Sequence, residues 1–232
     1  MLTIDKININ NALVDTLSQM DNNYPHRKED FYKALHPYVL DQWIWASEEL
    51  MRHFIFPEKM ECENANVFAG GYCFYPGHFW KKWGLKNVFL YDLDPEIKPV
   101  NWSCLEYIRD YVNIDQKSLD VLIDDQFVSR DNIDMVINLS CESMYDMKHI
   151  IKKGTYPKNT IFVFQGTDKI QRGNINVHKT IEEFEQSTSF GEDDILFSGE
   201  RDVNFGNYKG SGAHKRFMVI ARYNYEKQDN LQ

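Results

Sequence analysis

An α/β fold with a mainly parallel seven-stranded sheet, an antiparallel C-terminal hairpin and an N-terminal helical extension is predicted by three features of the 232-residue chain. From residue 64 onward, short apolar runs alternate with helix-spaced segments, the pattern of βαβ units. Near the C-terminus two strand-like runs follow one another with no helix between them, as a hairpin at a sheet edge requires. Before residue 64 the apolar residues recur at three-to-four-residue intervals, the helical period. The chain is therefore divided into a helical cap (1–63) and an α/β domain (64–232).

In the cap, Leu13, Val14 and Leu17 mark a short first helix after a loop, and DNNYPHRK (21–28) is a polar break. A stronger helical stretch follows from Glu29 to about Phe54. Pro37 divides it, because proline lacks an N–H and suits the first turn of a new helix. The α/β domain opens with a strand over Asn66–Ala69, a turn on Gly70 and Gly71, and an aromatic helix ending near Gly84. A second strand, Val88–Tyr91, stops on Asp92. Glycines after a first strand, with an acid about 20 residues later at the tip of the next, form the plan of a nucleotide-binding βαβ unit. Beyond a helix near Asn101–Tyr111, the third strand is expected in SLDVLIDD (118–125) and the fourth in IDMVINLS (133–140). A helix capped at Gly154 comes next, then a fifth strand in NTIFVFQ (159–165) and a helix over Thr180–Gln186. The final pair is DILFSG (194–199) and RFMVIARY (216–223).

Composition narrows the function. A 43% hydrophobic fraction suffices for a real core. No apolar run reaches the roughly 18 residues that cross a bilayer, and the N-terminus lacks a signal-peptide core, so a cytoplasmic location without membrane association is expected. Four separated cysteines without a CxxC pair indicate neither a zinc knuckle nor a disulfide framework, and no metal is expected. A net charge of -9 argues against an extended nucleic-acid surface and favours a small molecule or a nucleotide as substrate. The oligomeric state is left open by the sequence.

The order and spacing of these elements resemble the class I S-adenosylmethionine-dependent methyltransferases, a Rossmann-like superfamily, over roughly residues 64–224. VFAGGY (67–72) is similar to the family's glycine turn, YDLDPE (91–96) to its ribose-binding motif, LIDD (122–125) to the acid that contacts adenine, and IDMVIN (133–138) to the strand whose tip faces the transferred methyl. The family's acid at the end of the first strand and its GxGxG turn are replaced here by Phe68-Ala69-Gly70-Gly71-Tyr72. The resemblance implies S-adenosylmethionine as cofactor and methyl transfer as activity. Two alternatives retain the fold: another use of the same cofactor, by aminocarboxypropyl transfer or cleavage, and a non-catalytic nucleoside-binding scaffold.

The implied cofactor-binding residues are Gly70, Gly71, Tyr72, Asp92, Asp124 and Asn138. Asp92 takes the ribose, whereas Asp94 is better placed to cap the following helix. Asp124 is preferred to Asp125 for adenine, against a solvated turn as the alternative. The candidate catalytic residues are Glu142 and Cys141, at the end of the fourth strand, where doubly wound sheets place ligands. Glu142 could remove a proton from a hydroxyl or amine, or simply favour a helix dipole. Cys141 could be a nucleophile, although a small buried hydrophobe is the commoner role for such a cysteine. Most of the aromatics from Tyr72 to Trp83 are expected in the core, with Tyr72 and Tyr75 as the exceptions. Gln165 and Asp168 stand at the end of the fifth strand, on the ligand side, with His178 beyond the following loop, and Lys209, His214, Lys215 and Arg216 form a basic cluster on the final hairpin.

Overall fold

A computed structural model describes residues 6–55, 62–121, 132–153, 156–170, 173–204 and 213–224. Three helices come first: α1 (Lys6–Asn23), α2 (Lys28–Ala34) and α3 (Pro37–Leu50), the last running into a wider turn at Met51–Ile55. The first is longer than the spacing of Leu13, Val14 and Leu17 suggests. Ala12, Thr16 and Met20 form its buried stripe at four-residue steps, while Val14 is exposed. Pro37 does start a new helix, with the His36 imidazole accepting from Tyr38 N at its cap.

The remaining elements are β1 (Asn64–Phe68), α4 (Pro76–Lys82), β2 (Asn87–Asp92), α5 (Ile97–Cys104), β3 (Asn113–Ser118), β4 (Met135–Asn138), α6 (Met147–Lys153), β5 (Ile161–Thr167), α7 (Ile181–Thr188), β6 (Ile195–Val203) and β7 (His214–Arg222). The strands form one sheet in the order β3-β2-β1-β4-β5-β7-β6. β1 pairs in parallel with both β2 and β4, and β7 runs antiparallel to both its neighbours. Six strands therefore point one way and β7 the other.

Alternation along the strands separates two cores. Ala65, Val67, Leu90 and Ile137 face the side covered by α1–α5, whereas Phe68, Val136, Phe162 and Phe217 face α6 and α7. The strand order reverses between β1 and β4. A crevice outside the carboxyl ends of these two strands is the ligand position in such sheets.

One strand differs from expectation. The third strand is NIDQKS (113–118) rather than 118–125, and Gln116 is its one buried residue. An edge strand with a wetted surface needs no continuous apolar run, so the run in DVLID misplaces it by about five residues. Leu119 and Val121 from that run instead lie in the loop after β3 and are buried in the same core as Phe68 and Tyr91. The preferred Asp124, together with Asp125, lies outside the described residues, as does the Gly154 cap. Residues 141–146 are also not a continuous helix: a single tight turn, Cys141–Ser143, precedes α6.

Candidate functional site: two cavities sharing one wall

The turn after β1 is left-handed at Ala69 (φ 47°) and at Gly71 (φ 53°). Gly70 has another reason to lack a side chain. A Cβ there would lie 2.4 Å from Leu90 Cδ1, whereas one on Gly71 would meet nothing within 4 Å. Gly70 permits close approach of the turn to β2, and Gly71 permits its conformation. Ala69 holds a backbone region that costs a non-glycine residue about 1 kcal/mol or more.

Asp92, at the end of β2, anchors this turn. Its Oδ2 accepts from Gly71 N and its Oδ1 from Asp94 N, both at 3.0 Å. Burial raises the Asp92 pKa, and the two N–H groups partly offset that rise. Asp94 does not occupy the cap position of α5, which falls on Glu96. It accepts from Glu96 N at 2.9 Å and pairs with Arg27 Nη2 at 2.5 Å.

A cavity of about 420 Å³ opens beside Asp92. Phe68, Tyr91, Leu93, Leu119, Val121 and Met144 supply its apolar walls; Asp92, Asp120, Ser140 and Ser143 supply polar groups. Asp120 was missed because the third strand was placed too late. With β3 ending at Ser118, Asp120 is the acid just past a strand tip.

A second cavity, of about 270 Å³, lies on the other side of the turn, beneath α2 and α3. Its lining includes Tyr38, Gln42 and Trp43 from α3, Tyr72 beyond the turn, and Leu139 and Glu142 beyond β4. Phe68, Ala69, Gly71 and Ser140 border both cavities. Tyr72 thus faces the second space, where its hydroxyl accepts from Arg27 Nε at 3.0 Å and its ring meets Phe31 edge-on.

Asn138 borders neither cavity. It is fully buried, and its Oδ1 accepts from Ser140 N at 2.9 Å while its Nδ2 faces Met144 and Met147 sulfurs. It shapes the turn that presents Ser140. Cys141 is also wholly buried, its thiol donating to Asn138 O at 3.3 Å. Burial, with Glu142 next in effect, pushes its pKa well up and keeps it a thiol, the opposite of what nucleophilic attack requires.

Glu142 is 7% exposed and its Oε1 accepts from Arg216 Nη1 at 2.7 Å. Arg216 Nη2 donates to Leu139 O at 2.8 Å, and the Gln42 amide oxygen is placed to accept from the same guanidinium. Arg216 is therefore not part of a solvated hairpin cluster: it is buried, while neighbouring Lys215 points to the other face and pairs with Glu200. Alternation along β7 separates them, and Lys209 lies outside the described residues. Gln165 is also buried, and it donates to Gln42 O at 3.0 Å. Asp168 accepts from Lys215 N at 2.7 Å. Tyr75 donates to Leu35 O, and His178, nearly buried beside Phe184, has its pKa lowered chiefly by burial. Arg216, Gln165, Asp168, Tyr75 and His178 border neither cavity.

No protein-family model matches the chain, and no curated protein sequence matches it. Solved structures do. The plantazolicin methyltransferase BamL, in complex with a triazolic desmethylPZN analog and SAH, superposes with a TM-score of 0.55 over 94% of this chain and 99% of that one, at 10% identity. A SAM-dependent methyltransferase from Methanosarcina mazei covers 70% of this chain and 93% of its own at TM-score 0.51 and 12% identity. The MccD protein gives 0.52 over 77% and 96%, at 8% identity. The chain has the Rossmann-like fold of the class I S-adenosylmethionine-dependent methyltransferases. Among the described residues no helix is long and apolar enough to cross a membrane.

Proposed function

We propose that the protein is an S-adenosylmethionine-dependent methyltransferase acting on a small molecule, with cofactor in the 420 Å³ cavity and acceptor in the 270 Å³ cavity. The observation that supports this most directly is the shared wall: Ala69, Gly71 and Ser140 border both spaces. Two ligands seated there would meet across a backbone turn, and positioning of that kind is the larger part of such a transfer.

The residues beside the first cavity suit the cofactor. Each Asp92 oxygen uses one accepting site on a backbone N–H and keeps another for a ribose hydroxyl. Leu119, Val121 and Met144 suit the faces of an adenine ring, and Asp120 could accept from its amino group. The open space beside Gly71 suits the chain that carries the sulfonium. When bound, S-adenosylmethionine supplies a methyl group already activated by positive sulfur. Glu142 Oε2, which has no hydrogen-bond partner among the described residues, would receive a proton from the acceptor. Helices α2 and α3 would exclude water from that space, in the manner of a lid.

Arg27 would latch this lid. Arg27, at the entry to α2, reaches Asp94 and Glu96 on the loop after β2, as well as Tyr72. The helices that cover one cavity are thereby tied to the loop that borders the other. Product analysis after incubation with S-adenosylmethionine and a fractionated small-molecule extract tests the reaction. S-adenosylhomocysteine with a methylated acceptor is expected; methylthioadenosine would instead identify transfer of the aminocarboxypropyl arm.

A further inference from the structure

We propose that the 270 Å³ cavity takes an uncharged, ring-sized aromatic acceptor carrying a hydroxyl or amine N–H, bound through Glu142 Oε2, and that it rejects phosphorylated acceptors. The inference rests on the reading of this cavity as the acceptor site. It narrows the substrate from small molecules and nucleotides in general to one chemical class.

The first argument is an unsatisfied atom. Glu142 is more than nine-tenths buried, its Oε1 is engaged by Arg216, and its Oε2 meets no donor among the described residues. A buried acceptor left so costs about 1–3 kcal/mol, more for a charged group. A turn of the carboxylate that brings this oxygen into the cavity Glu142 borders would let a ligand hydroxyl or N–H remove that cost.

Charge supplies the second argument. Arg216 is the one buried arginine or lysine among the described residues, and Glu142, Leu139 O and Gln42 occupy its guanidinium. Lys33, which borders the cavity, pairs with Glu29 and Asp30, and Arg27, which reaches the bordering Tyr72, pairs with Asp94. A phosphate would therefore find no uncommitted cation among these, and would face Asp30 and the open Glu142 oxygen, both of like sign. An uncharged group meets no such penalty.

The walls give the shape. Tyr38, Trp43, Phe68 and Tyr72 present aromatic surface, joined by Val39 and Leu139. Such a lining favours a flat apolar body with one polar atom at the Glu142 end.

Three probes separate these arguments: 2-naphthol, 2-methoxynaphthalene, which lacks the donor, and 2-naphthyl phosphate. Binding is read by ligand-observed NMR on the full chain, with and without S-adenosylhomocysteine, and S-adenosylhomocysteine affinity is measured separately by calorimetry. The expected result is 2-naphthol binding, at least ten-fold weaker binding of the methoxy compound, and none of the phosphate. Glu142→Gln replaces a charge-assisted hydrogen bond with a neutral one and should weaken 2-naphthol about ten-fold while leaving S-adenosylhomocysteine within two-fold. Ala34→Trp fills the cavity from α2 without touching the ion pair and should abolish 2-naphthol binding. Phosphate binding equal to that of naphthol, indifference to the methyl ether, full naphthol binding in Ala34→Trp, or no naphthol binding at all would each overturn the inference. Naphthol binding that behaves as expected in a protein that ignores S-adenosylhomocysteine would uphold the cavity's chemistry and remove the methyltransferase reading instead.

Discussion

The two cavities that meet at the Ala69–Gly71 turn are built in opposite ways. The larger is bordered by strand tips and the loops just beyond them: Phe68 from β1, Asp92 from β2, Asp120 after β3 and Ser140 after β4. Its geometry follows from backbone, through a left-handed turn and a carboxylate that fastens it. The smaller shares that turn, but the rest of its wall is side chains from distant parts of the chain, Tyr38, Gln42 and Trp43 on α3 and Glu142 after β4, with Arg216 on β7 holding Gln42 and Glu142 from behind in one buried network. Backbone-built sites hold a ligand common to many proteins, whereas side-chain-built sites can be altered one residue at a time. The difference suits an invariant cofactor on one side and a particular acceptor on the other.

The largest expected effect breaks the second cavity alone. Arg216→Ala strands Glu142 in a buried position, and removing one partner of such a pair typically costs about 3–5 kcal/mol. Urea unfolding should show that loss, and replacing the whole pair in Glu142→Leu/Arg216→Met should recover most of it. A double variant no more stable than the single one would contradict the pairing. Next in size, Gly70→Ala drives a methyl into Leu90 and should cost about 1–3 kcal/mol by overpacking. Gly71→Ala has room and should cost about 1 kcal/mol from its backbone angle alone. Equal losses would mean that the two glycines do one job.

A smaller effect tests the link between the sites. Arg27→Ala removes the contacts from the α2 entry to Asp94, Glu96 and Tyr72, for about 1 kcal/mol of local stability. Amide hydrogen exchange in α2 should accelerate several-fold while the strands stay protected; uniform exchange would argue against a latch.

The smallest effect is one of pH. Burial raises the folded Asp92 pKa, so this group favours the folded state below its ordinary carboxylate range, and that contribution fades as pH rises through the raised value. Ribose binding needs the ionised form, so cofactor affinity should fall as pH drops toward the raised pKa. In Asp92→Asn the affinity should be low and flat over the same window.

The contrast between the cavities also explains what the chain disclosed on its own. The β1 turn and Asp92 are contiguous motifs at a fixed spacing, so both were legible from residue order. Asp120 was not, because β3 is a wetted edge strand whose polar sequence conceals it behind a more apolar neighbour. Glu142 stood out beside a strand tip, but nothing local foretold Arg216 as its partner. The two stand 74 residues apart in the chain and are brought together by the antiparallel pairing of β7 with β5. Cys141 and Asn138 sit at the same strand tip, yet they turn inward, because the tight turn at Cys141–Ser143 aims Ser140 at the cavities instead.

Calorimetric titration with S-adenosylmethionine, on the unaltered protein and on Asp92→Ala, tests the central claim most directly. Micromolar binding that weakens at least ten-fold in a variant of unchanged fold is the predicted result. No heat of binding from the folded unaltered protein, or equal affinity in Asp92→Ala, would contradict the assignment of the larger cavity.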